Sequence, residues 1–252
     1  MNITVNETTN TISISDQTYV PSSAVFDPVS VARLYSDFKS DISPFAFCGG
    51  TGGNPSGGSY SIGSTPGQFG TLTIRVDGTS GSRSAIMATD TSPTTISRND
   101  ALGYGKFSFK TKCLIVQGTQ EQRTFVGFGL THAVSDTTTT QKLMLQYGVG
   151  FIAYGYAGNW IAVTADDNVM TEVDTGVSAS QRTALELVIS DDGTSATWTV
   201  NGIVKRSSTN GPFYDYAVSG SWGIELRDKK AGGVGTTAST SVDYMALEYN
   251  RS

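Results

Sequence analysis

Alternation of apolar and polar residues at a period of two, sustained through residues 185–249, is the feature that most constrains the fold of this chain. The runs LELVISDDGTSATWTVNGIVKRSS, GSWGIELRDKK and SVDYMALEY each send successive side chains to opposite faces, the pattern of a half-buried strand. Leu185, Leu187 and Ile189 share one face, with Glu186 and Val188 on the other; Ala196, Trp198 and Val200 form the next inward row, and Trp222 shares its parity with Ile224 and Leu226. Asp191-Asp192-Gly193 and Asn201-Gly202 supply the reversals, the second as a type I′ turn, because Asn and Gly tolerate positive φ at both central positions. Three consecutive antiparallel strands follow, and with them a β-sandwich whose core takes Leu187 and Trp198 from adjacent strands.

A chain of 252 residues accommodates one large all-β domain or two small ones. Its 29 glycines and many hydroxyl residues suit short strands and tight turns, so helix is expected only as a minor component. Charged residues make up 15% of the chain and the net charge is −5, without a Lys/Arg cluster. This excludes nucleic acid as a partner, since phosphate neutralisation supplies most of that affinity. No window approaches the ~20 apolar residues of a membrane span, and the start MNITVNETTN has neither a basic nor an apolar leader region, so cytoplasmic synthesis without membrane insertion is expected. Two cysteines do not make a disulfide framework for this length, and Cys113, on the parity of Phe107, Phe109 and Ile115, reads as a small core hydrophobe.

Along the chain, Ile3, Val5, Ile12 and Ile14 form two short alternating runs, a hairpin too small to be stable alone. It must pack on the sandwich, on another copy of the chain or on a different protein; residues 1–20 are expected to be an anchoring arm held by intermolecular contacts, with Val20-Pro21-Ser22-Ser23 as linker and residues 21–252 as the sandwich. Val31, Leu34, Tyr35 and Phe38 recur at helical spacing and predict one short helix within residues 27–40. Residues 48–67, rich in Gly, Ser and Pro, read as a long surface loop. The strands resume by Phe69, where Leu72, Ile74 and Val76 alternate with polar residues and residues 85–88 are expected to pair with them. Residues 105–110 continue the sandwich, residues 125–130 are broken by glycines where curvature is needed, and Gly148-Val149-Gly150 leads into residues 151–156 as another hairpin.

The succession GKFSFKTKCLI, FVGFGLTHA, LELVISDDGTSATWTVNGIV and SVDYMALEY resembles the concanavalin A-like lectin/glucanase jelly roll, a group that includes laminin G-like modules, over roughly residues 69–249. The resemblance implies a two-sheet antiparallel jelly-roll sandwich. The N-terminal run ITVNETTNTISIS resembles the strand-rich starts of tailed-phage fibre, spike and capsid-decoration proteins, which implies a place on a virion.

Enzymes of the resembled fold place carboxylates on alternate residues of one strand in a pattern like ExDxxE, with acid and nucleophile about 5 to 5.5 Å apart in the retaining case. Glu172-Val173-Asp174 is the nearest approach, but the last carboxylate is missing, so both read as solvated strand or turn residues. His132 is the single histidine and has no identifiable partner, and no GxSxG turn is present. No residue is assigned a catalytic role. Asp166-Asp167-Asn168 lacks EF-hand spacing and a third carboxylate, and reads as a polar turn rather than a Ca²⁺ site like that of legume lectins; the Gly49 to Gly58 stretch has no GK[ST] and does not cradle phosphate. No metal and no cofactor is expected.

Ligand binding falls instead to Tyr154, Tyr156, Asn159 and Trp160, in a glycine-punctuated hairpin end where rings could stack on sugar faces; sealing a sandwich edge or a subunit contact is the alternative for the same cluster. The expectation is a non-enzymatic virion surface protein. Its partners are other virion proteins through the arm, host cell-surface glycans, and further copies of itself in a homo-oligomer, a trimer for preference. A glycan-active enzyme of the same fold and a bacterial carbohydrate-binding module are the alternatives.

Overall fold

The structure, a computed structural model, describes residues 3–6, 11–14, 17–19, 31–39, 41–51, 58–63, 70–79, 82–88, 96–97, 106–129, 148–166, 169–190, 193–209, 219–228 and 235–250. At the N-terminus β1 (Ile3–Asn6), β2 (Thr11–Ile14) and β3 (Gln17–Tyr19) form a small sheet in that order, with Val5 opposite Ile12 and Ile12 opposite Tyr19. The expected hairpin is present, and a third strand extends it.

In chain order the remaining described strands begin with β4 (Val31–Ser36), β5 (Phe45–Thr51), β6 (Gly58–Gly63), β7 (Thr71–Val76), β8 (Ser82–Ala88) and β9 (Ile96–Ser97). Next come β10 (Phe107–Gln117), β11 (Gln122–Gly129), β12 (Gly148–Tyr154), β13 (Asn159–Asp166) and β14 (Val169–Ser178). The last are β15 (Thr183–Ile189), β16 (Ala196–Val200), β17 (Ile203–Ser208), β18 (Ser219–Asp228) and β19 (Ala238–Asn250). They build two antiparallel sheets. The first runs β17-β16-β15-β10-β19-β7-β6, with β4 also on β19; the second runs β14-β13-β12-β11-β18-β8-β5, with β9 on β18. The fold is an all-β, two-sheet jelly-roll sandwich, and no helix occurs among the described residues.

The alternation in residues 185–249 is realised as read. Leu185, Leu187 and Ile189 are buried and Glu186 and Val188 are not; Leu187 stands opposite Trp198 in the β15–β16 pair. Asn201 and Gly202 carry φ of 51° and 79°, the type I′ reversal. Trp222 packs inward against Phe107, Phe109 and Phe128, with ring centroids 5.5, 5.7 and 5.2 Å away. Trp198 joins the sheets: its Nε1–H donates to the Gly150 carbonyl on β12 at 2.7 Å, and the Arg206 guanidinium lies 4.6 Å from its ring centroid. Arg206 in turn donates to the Ala162 and Thr171 carbonyls of the other sheet, both at 3.1 Å. Beside that contact Gly127 and Gly150 face each other across β11 and β12, and a Cβ on either would fall 2.3 or 2.2 Å from a carbonyl oxygen of the neighbouring strand. Only glycine fits there.

Four expectations are corrected. Residues 31–36 form strand β4 rather than part of a helix: pairing with the end of β19 puts Leu34 toward the core and Tyr35 outside, whereas the helical reading placed both on one face. Residues 48–51 and 58–63 lie in β5 and β6 rather than in a surface loop; both are terminal strands of their sheets, held by backbone pairing to β8 and β7 and by a few apolar side chains such as Phe47 and Ile62. Residues 85–88 do not pair with β7: β8 lies in the opposite sheet between β18 and β5, so Ile86 and Leu72 meet through the core. Finally, β12 is one strand from Gly148, and its reversal falls at residues 155–158. The linker at residues 20–23, Phe69, His132, Asp167, Asn168, Asp191 and Asp192 lie outside the described residues.

Replacing Trp198 with Ala should lower the unfolding free energy by about 3–5 kcal/mol through the cavity left behind. Trp198→Phe, which keeps most of the volume but strips the Gly150 carbonyl of its donor, should lower it by about 1–3 kcal/mol; urea titrations followed by circular dichroism separate the two. Cys113 is fully buried, and desolvation, opposed by the Arg182 charge, raises its thiol from 9.0 to about 12. Raised in this direction, the thiol contributes stability that is complete below pH 9.0 and is lost as pH climbs toward 12. Iodoacetamide at about pH 8 should modify Cys113 only after unfolding, as read by peptide mass spectrometry.

Candidate functional site

Val126, Phe151, Ala162 and Ile224 point into the core, so the strand register assigns their neighbours to the outer face of the second sheet. In one row across that face Tyr154 stands opposite Arg123, and Arg123 opposite Arg227. In the next row Asp174, Ile161, Ile152, Phe125 and Glu225 succeed one another from β14 to β18. Phe125, Ile152, Val163 and Ala165 are buried together there, with Tyr154, Ile161 and Met170 packed around them as an apolar cluster separate from the main core.

Charge sits directly on this apolar floor. Arg123 is 0% exposed, and its Nη2 lies 3.8 Å from Oε2 of the equally buried Glu225; Arg227 donates from Nη1 to Glu225 Oε1 at 3.4 Å. Two guanidinium groups thus hold one carboxylate in a region where an uncompensated charge would be strongly unfavourable.

The other end of the face is more open. Tyr154 donates its hydroxyl to Glu172 Oε1 at 2.8 Å, and Asn159 Nδ2 donates to both Asp174 oxygens at 3.1 Å. The Gly176 N–H also donates to Asp174 Oδ1, at 2.8 Å. Burial, reinforced by the hydrogen bond and negative charge of Glu172 and opposed by Arg123, pushes the Tyr154 phenol far above its usual range, so it remains a donor throughout physiological pH. Tyr156, 47% exposed, projects from the turn that joins β12 to β13.

Of the four residues the sequence nominated, Tyr154 and Asn159 come together with Glu172 and Asp174 at one end of the sheet, and Tyr156 lies in the adjoining turn. Trp160 is a correction. It is 0% exposed and part of the main core, because on β13 it shares the inward parity of Ala162 while Asn159 and Ile161 face outward, and Thr175 Oγ1 donates to its carbonyl at 2.6 Å. A ring so placed has no face to offer a ligand. Glu172 and Asp174 are strand residues, as one branch of their reading had it, but each accepts a side-chain hydrogen bond rather than standing free in solvent. Arg123, Phe125, Glu225 and Arg227 escaped the sequence reading. Their outward parity followed from that of Ile224 and Leu226, yet nothing in a single strand says that its outer face is buried. Among the described residues no group of three or more His, Cys, Asp or Glu side chains could hold a metal ion.

No family model and no curated protein matches the chain. Solved structures do. A protein of unknown function from Shewanella oneidensis MR-1 is similar at a TM-score of 0.62 and 15% identity, over 88% of each chain. Peanut lectin is similar at 0.54 and 10% identity, over 87% of this chain and 97% of its own. A family 7 alginate lyase is similar at 0.50 and 14% identity, over 75% and 81%. Likeness at these identities establishes the fold, which is the lectin-like, concanavalin A-like jelly roll that the strand patterns resembled.

Glu225→Ala, which removes the carboxylate that faces the buried Arg123, should destabilise the protein by about 3–5 kcal/mol, whereas the double replacement Arg123→Met with Glu225→Leu should recover most of that loss. Thermal unfolding of the two variants checks this, and equal losses in both would show that the charges are not coupled.

Proposed function

We propose that this chain is a saccharide-binding display module that acts without cleaving its ligand. The observation that carries the reading is the open corner of the second sheet. An exposed ring, Tyr156, lies in the turn between Tyr154 and Asn159, whose side chains form oriented hydrogen bonds with Glu172 and Asp174. A sugar presents apolar C–H faces and hydroxyl edges, and this pairing of a stacking ring with fixed polar groups suits both. The buried Arg123–Glu225–Arg227 group lies beneath and supports the corner rather than touching the ligand.

Binding is favoured over hydrolysis because Glu172 and Asp174 are each engaged by a neighbouring donor, and Tyr154 holds its proton too tightly to act as a base near neutral pH. One such corner binds weakly, so adhesion depends on several copies acting together. The module is placed on a tailed-phage particle, held by the small sheet β1–β3 to other virion proteins and assembled as a homo-oligomer, a trimer for preference. The sequence of the arm and its unsupported size motivate this placement. The second reading, a glycan-active enzyme, draws on the Tyr154–Glu172 pair with Arg123 opposite it.

On a glycan array, Tyr156→Ala should lose about tenfold in affinity without loss of fold. Incubation with the polysaccharides that bind, followed by sizing, should return chains of unchanged length. Shortened chains released catalytically, and abolished by Tyr154→Phe, would establish the enzyme instead.

A further inference from the structure

The outer face of the first sheet carries a second aromatic feature that the corner around Tyr156 does not use. On β19 the inward residues are Met245 and Leu247, so Tyr244 and Ala246 face outward. Ala246 stands opposite Tyr35 of β4 on one side and opposite Lys110 of β10 on the other, while Tyr244 stands opposite Lys112. Tyr35 and Tyr244 are thus diagonal neighbours on one face. Their rings are near-parallel, 28° between planes with centroids 6.4 Å apart, and Tyr35 remains 56% exposed.

The surroundings decide what such a surface suits. Lys110 is neutralised by Glu186, with Nζ 2.9 Å from Oε1, and Arg182 forms an ion pair with Asp243 beside Tyr244. The Lys112 side chain forms no ion pair or hydrogen bond with any described residue. A protein partner of ordinary composition would need an apolar core here with charges at its margin. Instead, two rings lie among lysines and carboxylates, with the small Ala246 between Tyr35 and Lys110. That combination fits a ligand that is apolar on its flat faces, polar at its edges and negatively charged at intervals.

We propose that this face is a second saccharide site, which takes a uronate-bearing chain with sugar rings laid on Tyr35 and Tyr244 and a carboxylate at Lys112. The proposal rests on the saccharide-binding reading and extends it: sites on opposite faces of one sandwich let a single chain bridge two glycan strands, which raises avidity without new contacts.

The test is titration of the full chain with a galacturonate hexamer and, separately, with neutral xylohexaose, followed by backbone amide shifts in NMR. The uronate should shift signals of residues 35, 110–112 and 244. Tyr35→Ala should weaken this binding about tenfold and Tyr35→Phe should retain it. Lys112→Met should remove the preference for the acidic over the neutral hexamer, and Tyr156→Ala should leave these shifts in place. Unchanged affinity in Tyr35→Ala overturns the site, as does absence of shifts at these residues with either hexamer. Shifts confined to residues 154–159 and abolished by Tyr156→Ala overturn the second site while sustaining the first. Shifts at Tyr35 and Tyr244 with loss of the Tyr156 corner reverse that outcome. Equal response to both hexamers overturns the acidic class.

Discussion

The indole of Trp198 is the contact on which the arrangement of the two sheets depends. It belongs to one sheet, donates to the Gly150 carbonyl of the other, and is covered by Arg206, whose own guanidinium reaches two carbonyls across the gap. A buried indole N–H and a buried carbonyl each lose water on folding, so their pairing selects one offset of the sheets among the many that apolar packing alone would allow. Gly150 also faces Gly127 in the close approach that excludes any Cβ, which sets β12 against β11. Everything at the end of β12, including Tyr154 and the turn bearing Tyr156, inherits its position from that point.

Jelly-roll connectivity then accounts for where function can arise. The central β10–β19 pair joins Phe107 to Tyr249, and β18 and β8, far apart in sequence, lie side by side in the second sheet. The inward faces are consumed by the core, and the outward faces are left to polar chemistry. In a chain with only 15% charged residues, the placement of those charges is informative. Some support the fold from outside, as Arg123 and Glu225 do over their own small apolar cluster. Others surround aromatic rings, as Lys110, Lys112 and Glu186 do around the exposed Tyr35 and the half-buried Tyr244. The same fold is found in a lectin and in a polysaccharide lyase, so the fold by itself does not determine what its outer face does.

How much was legible follows the same division. Residues 185–249 announced their strands because a half-buried strand writes its burial directly as alternation, and Trp198, Leu187, Trp222 and Cys113 were placed in the core from parity alone. The β4 strand was misread because Tyr35 is an aromatic residue on the outer face, so that with Val31, Leu34 and Phe38 it mimics a helical stripe, and β5 and β6 were missed because terminal strands need few apolar residues. Trp160 was misplaced because it was read as part of an exposed hairpin end, whereas β13 already begins at Asn159 and Trp160 shares the inward parity of Ala162.

By itself, then, the sequence determined the class of fold, the identity of most core residues and the turns that reverse the chain, since each is a local matter of period and backbone freedom. Only the tertiary structure decided which strands are neighbours, that β7 and β8 lie in opposite sheets, that Arg123, Glu225 and Arg227 converge, and that Tyr35 meets Tyr244. These depend on pairings between residues separated by up to some two hundred positions, as Tyr35 and Tyr244 are. The free energy of such pairings is settled by packing across the whole sandwich, and no short stretch of chain encodes it.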